Sequence, residues 1–93
     1  MNNLNIENVI HKNSDIYSSE VDGEAIMMNI NNNAYYTTKE IGNRIWSLLD
    51  SLSTPQAICE QLIQEYEVSK EQCQKEVLQF LDQLLECNVV IKK

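Results

Sequence analysis

Residues 25–49, Ala-Ile-Met-Met-Asn-Ile-Asn-Asn-Asn-Ala-Tyr-Tyr-Thr-Thr-Lys-Glu-Ile-Gly-Asn-Arg-Ile-Trp-Ser-Leu-Leu, change their hydrophobic period halfway along. In Ala25–Ile30 the pattern is that of a strand, with Ile26, Met28 and Ile30 on one face. Asn31-Asn32-Asn33 supplies a turn, because asparagine tolerates positive φ better than most residues. Ala34-Tyr35-Tyr36-Thr37 reads as a short further strand. The period then becomes helical. Ile41, Ile45, Leu48, Leu49 and Leu52 form one stripe, and Thr37 with Glu40 has capping-box spacing.

Working outward, Ile16–Val21 has strand-forming residue types, and Asp22-Gly23 after it is a strong hairpin signal. The turns are too short for parallel crossovers, so the sheet should be antiparallel. On the other side, Ser53-Thr54-Pro55 ends the first helix and starts a second, with Pro55 suited to the first helical position. Ala57, Ile58, Leu62, Ile63 and Tyr66 line that helix. Ser69 with Gln72 opens a third, running from about Lys70 to Glu86. A strand-like piece, Val89-Val90-Ile91, follows. The expected fold is α+β and winged helix-turn-helix-like: an N-terminal three-stranded antiparallel sheet followed by three helices.

The 93 residues suit one domain. Residues 1–13 are Asn-rich and expected to fray, although Val9 and Ile10 could start a strand, and residues 14–93 form the single domain. The N-terminal residues lack the charged and apolar regions of a secretory signal, and no apolar run reaches the roughly 20 residues of a membrane span. A soluble, cytoplasmic protein is expected.

Fourteen acids against seven bases give a net charge of −7. That balance opposes nucleic acid and anionic lipid as partners. Three helices with a wing are also a DNA-reader architecture, but Glu60–Glu86 carries seven acids against two lysines, a balance of −5. A winged-helix DNA-binding regulator is therefore the weaker alternative. The three cysteines, Cys59, Cys73 and Cys87, are an odd number without metal-ligand spacing and read as small core residues. His11 is the single histidine, and no phosphate loop or paired carboxylate set is visible. No catalytic residue, metal site or cofactor is expected.

The third helix is wider than a core needs. At about 100° per residue, Cys87, Phe80, Cys73, Leu84, Val77, Leu81, Leu85 and Leu78 spread over roughly 180°, where about 100° suffices for a helix lying on one core. One flank must touch something besides the first two helices. Either the chain's own sheet covers it, or a groove between helix and sheet is open to a ligand. The Ala34–Thr37 strand favours the groove, since a free edge offers unpaired N–H and C=O groups to an extended peptide. Tyr35 and Tyr36 would add amphipathic contact area, although Tyr36 taken alone reads as an ordinary strand residue. A homodimeric module using the wide helix face is a further alternative.

Several linked pieces between Asp22 and Val90 resemble the PqqD-like family, the RiPP recognition elements that bind leader peptides of ribosomally made natural products. They are Ile26-Met27-Met28-Asn29-Ile30, Asn33-Ala34-Tyr35-Tyr36, the Gly42-x-x-Ile45-Trp46-x-Leu48-Leu49 helix and Glu76-Val77-x-x-Phe80-Leu81-x-x-Leu84. The Tyr-Tyr and Ile-Trp pieces together look most like the stand-alone version found with lasso peptides. Lys39 departs from the family's usual Asn, and Asn88 stands in place of a Gly after the third helix. The free protein is expected to be a monomer, and the resemblance implies that a precursor's leader adds to it as an antiparallel strand. Ala34, Tyr35, Tyr36 and Thr37 would pair its backbone, and Val77, Phe80, Leu81 and Leu84 would line its side chains. Glu76, at the flank, would meet a basic residue. It also implies a separate leader peptidase as partner; a cyclase encoded nearby is a further expected partner.

Overall fold

The computed structural model describes residues 4–93, so the first three residues of the stretch expected to fray lie outside it. In chain order the elements are β1 (Ile10–Lys12), β2 (Ile16–Val21), β3 (Glu24–Asn29), β4 (Tyr35–Lys39), α1 (Ile41–Leu48), α2 (Pro55–Glu65), α3 (Lys70–Glu86) and β5 (Val90–Lys92). Strands β2, β3 and β4 form the expected antiparallel meander, and β1 pairs antiparallel with β5. The α+β, winged-helix-like reading holds.

The stretch expected to fray is tied down from residue 6 onward. Gln56 N–H donates to the Ile6 carbonyl at 3.0 Å, and Ile10 N–H donates to the Ser53 carbonyl at 2.7 Å. Ile10 is fully buried in the core with Val89 and Val90. Its partner strand lies at the other end of the sequence, so local pattern could not reveal the pairing.

Turn chemistry sets the meander. Asp22 and Gly23 both take positive φ (53° and 77°) in a two-residue loop, the geometry of a type I′ hairpin turn. Asn33 takes φ 59° in the second turn. The register places Tyr17, Met28 and Tyr35 in one row across the sheet. That row faces outward: Tyr17 is 63% exposed and Tyr35 72%. Ile26, Met28 and Ile30 therefore share the outer face, while Ala25 and Met27 face the core. The face that packs is the one holding the smaller alanine, because helix α1 approaches close there: the Ala25 N–H donates to Asn43 Oδ1 at 3.1 Å.

β4 extends to Lys39 because Thr38 and Lys39 still pair with Ala25 and Glu24. The expected capping box at Thr37 and Glu40 is consequently absent. Thr37 lies in the strand, and Glu40 starts α1 with φ 59° and ψ −122°, without a side-chain cap. An L-residue in that region is strained by about 1–2 kcal/mol. Replacing Glu40 with glycine should raise the melting temperature by several degrees, as a gain near 1 kcal/mol does for a domain this size. A thermal melt followed by circular dichroism checks this; a lower melting temperature would contradict the strain.

The other helix ends follow the sequence. Thr54 Oγ1 accepts from the Ala57 N–H at 3.2 Å, and Pro55 is the first helical residue. Ser69 Oγ accepts from the Gln72 N–H at 3.1 Å, but the Gln72 side chain turns to Glu76, so only half of that box forms. Asn88, at φ 59°, ends α3 in a Schellman motif: Val89 N–H reaches the Leu84 carbonyl and Asn88 N–H the Leu85 carbonyl.

Arg44 clamps α1 to α2 by donating from Nε and Nη2 to the two carboxylate oxygens of Glu65, at 2.8 and 2.6 Å. The Arg44 hydrogen bond, helped by one from Gln61, lowers the Glu65 pKa to about 2. A carboxyl held low in the fold stabilises it above the ordinary value of 4.5 and ceases to do so as pH falls toward 2. The melting temperature of Glu65→Gln should therefore change less than that of the parent across this window.

Candidate functional site

β4 is an edge strand, with β3 on one side and no strand on the other among the described residues. Which of its groups are free follows from the ladder. Asn29 N–H donates to the Ala34 carbonyl at 2.8 Å, so 29/34, 27/36 and 25/38 are the positions whose backbone groups face each other, although the Ala25 N–H goes to Asn43 Oδ1. Tyr35, Thr37 and Lys39 thus direct their N–H and C=O groups away from β3. Of the four residues expected to pair a peptide, Tyr35 and Thr37 have backbones facing the open edge. Tyr36 is turned to β3, and Ala34 precedes the strand with its N–H held by Asn32 Oδ1 at 2.9 Å.

Helix α3 provides the wall beside this edge. Of the side chains expected to line a groove, Val77, Leu81 and Leu84 are buried in the core at 1%, 0% and 0% exposure. They support the wall from behind. Phe80 is half-buried and reaches the sheet, with its ring set edge-on to Tyr36 at a centroid distance of 6.3 Å. The Tyr36 hydroxyl donates to Gln83 Oε1 at 3.0 Å. Burial, and after it the neighbouring Cys87, push the Tyr36 pKa up, so the phenol keeps the proton it donates. The Phe80 flank of the wide apolar arc is therefore the one facing the sheet. Close approach is permitted by Gly42, where a Cβ would overlap the Thr38 hydroxyl and lie 3.3 Å from the Phe80 ring.

Two hollows lie along this wall. One, of about 210 Å³, is formed by Glu76, Gln79, Phe80 and Gln83. The other, about 170 Å³, lies where Ala34, Tyr35 and Tyr36 meet Glu86 and Cys87. Gln79, Gln83 and Glu86 did not stand out in the sequence, because polar residues on a helix wheel read as a solvated face. Their spacing from Phe80 is the signal that could have found them. A third hollow, of about 260 Å³, lies between β2 and α1. Polar groups there satisfy one another: Lys12 Nζ donates to Asp50 at 2.8 Å and sits 4.1 Å from the Trp46 ring centre.

Cys59 and Cys73 are buried as expected, and burial pushes the Cys59 thiol up to about 12. Cys87 is exposed instead, because it caps α3 beside the second hollow rather than facing the core. Brief maleimide treatment of the folded protein should label Cys87 alone, read by peptide mass mapping; labelling of Cys59 first would contradict this placement. Among the described residues, no three His, Cys, Asp or Glu side chains converge as a metal-binding group. No described helix is long and apolar enough to cross a membrane.

The open edge of β4, set beside α3 across the Tyr36–Phe80 contact, defines a class of small α+β domain. Residues 24–90 match the family model of coenzyme PQQ synthesis protein D (PqqD), and the chain belongs to that family. Two solved structures share the fold. TbiB1 in complex with the TbiA(beta) leader peptide superposes with a TM-score of 0.80 at 24% identity, covering 86% of this chain and 93% of that one. Lasso peptide synthetase B1 complexed with the leader peptide gives 0.78 at 18% identity, with 88% and 96% covered. No curated protein sequence matches the chain.

Proposed function

We propose that this protein binds the leader segment of a ribosomally synthesised precursor peptide of the lasso type and acts as an adaptor without catalysis of its own. The leader adds as an antiparallel strand to β4, beside Phe80, in the cytoplasm. The observation carrying this reading is the outward-facing backbone of Tyr35 and Thr37 alongside the α3 wall. Family membership supports it, as does the likeness in fold to two proteins that are each complexed with a leader peptide.

Burying about 400 Å² of leader apolar surface at about 25 cal/mol/Å² yields on the order of 10 kcal/mol before ordering costs. Those costs are several kcal/mol, leaving sub-micromolar to micromolar affinity. Presentation to a separate leader peptidase, and to a cyclase, needs a second surface. The outer sheet row of Tyr17, Met28 and Tyr35 supports that part of the reading, since it exposes apolar area on a face the leader need not cover.

Titrating labelled leader segments from a precursor gene adjacent to this one tests the function. Saturable binding is expected, and no binding at tens of micromolar to any adjacent precursor overturns it. Light scattering on the free protein is expected to give a monomer, whereas a homodimeric module would give twice that mass.

A further inference from the structure

The α3 wall has a charge pattern that selects among peptides. Glu76 lines the hollow next to Phe80, and Glu86 lines the hollow next to Tyr35. Gln79 and Gln83 lie between them, and Phe80 is the apolar side chain on that stretch of wall. The two ion pairs among the described residues are Lys12 with Asp50 and Arg44 with Glu65, so neither Glu76 nor Glu86 is matched by a cation. Glu76 instead accepts from the Gln72 amide at 2.8 Å.

The spacing sets a register. Ten helical steps lead from Glu76 to Glu86, roughly 15 Å at 1.5 Å per residue. A β-strand covers that in about four residues at about 3.4 Å each, with the remainder within reach of a long basic side chain. Only even separations put two strand side chains on the same face. The side chain midway between them falls about 7 Å from either end. Phe80 stands about 6 Å along the helix from Glu76, so that midway side chain meets its ring.

We infer that the peptide taken by the β4 edge carries the pattern basic-x-apolar-x-basic, its two basic side chains meeting Glu76 and Glu86 and its apolar side chain resting on Phe80. The inference rests on the groove reading proposed above and assigns that groove a peptide chemistry. The pattern reads the same in both chain directions, so it does not depend on the polarity of the added strand. It requires the open edge and the aromatic contact as well as the carboxylates, since two exposed glutamates alone would bind nothing specifically.

Labelled peptides containing Lys-Thr-Leu-Thr-Lys, Glu-Thr-Leu-Thr-Glu or the shortened Lys-Thr-Leu-Lys, in otherwise identical neutral flanks, test it by fluorescence anisotropy. The first should bind the parent protein about tenfold more tightly than either other peptide at low salt, as two partly exposed pairs allow. That preference should fade as salt is raised. In the double variant Glu76→Lys with Glu86→Lys it should reverse, the Glu peptide becoming the tighter ligand. Equal binding of the Lys and Glu peptides to the parent protein overturns the charge pattern while leaving the groove intact. No binding of any of the three, together with no binding of an adjacent leader, overturns the groove and the pattern with it. Circular dichroism of the double variant should match the parent, both positions being exposed.

Discussion

Thr37→Pro is expected to leave the fold intact and to abolish leader binding. Thr37 is exposed, and the ladder turns its N–H to the open edge, so proline there removes no bond to β3. The ring occupies the place where an added strand, about 4.8 Å away, would put its carbonyl. One backbone hydrogen bond is worth about 1 kcal/mol net, but the steric block denies the neighbouring bonds as well. Affinity should therefore fall at least about a hundredfold, near 3 kcal/mol. Anisotropy titration measures the loss, and a melt within a few degrees of the parent shows that the sheet survives. Undiminished binding by a folded variant would remove β4 from the site.

Phe80→Asp should produce a loss of similar size for a different reason. The ring lies between Tyr36 and the hollow with Glu76, so aspartate exchanges an apolar platform for a charge facing a desolvating peptide. It also adds a third negative charge to a wall already carrying Glu76 and Glu86. The Tyr36 contact forfeited is worth about 0.5–1.5 kcal/mol, which the core can bear because Val77, Leu81 and Leu84 still anchor α3. Phe80→Leu keeps the apolar surface and should retain most of the affinity. Equal loss in both variants would mean that the ring acts through the fold rather than through contact.

The sequence reading was most successful where a local signal was complete. Helix α3 runs from Lys70 to Glu86 as expected, since Ser69 at one end and Asn88 at the other both mark boundaries chemically. It failed at Thr37 and Glu40, whose capping-box spacing was overridden by β4 continuing to pair with β3. Ile26, Met28 and Ile30 were legible as one face but not as the outer one, because alternation does not say which side meets the helices. The site shows the same limit. A helix wheel identifies an arc too wide for one core but not which flank is spare, and the family resemblance, which groups Val77, Leu81 and Leu84 with Phe80, does not separate side chains at the surface from those packed behind them. Gln83 escaped notice because its importance lies in a bond to Tyr36, a residue on a different element.

The pairing of β1 with β5 carries a kinetic consequence. Ile10 lies opposite Lys92, so closing this two-stranded ladder means shutting a loop of roughly 80 residues, whereas each meander hairpin shuts one of a few. The entropic difference, scaling as 1.5RT times the logarithm of loop length, is roughly 3 kcal/mol. The clasp should thus be the last feature to assemble and the first to open, after β4 and α3 are already side by side. Hydrogen exchange should find the amides of β1 and β5 less protected than those of β3, with β4 and α3 still side by side when the chain's two ends have come apart.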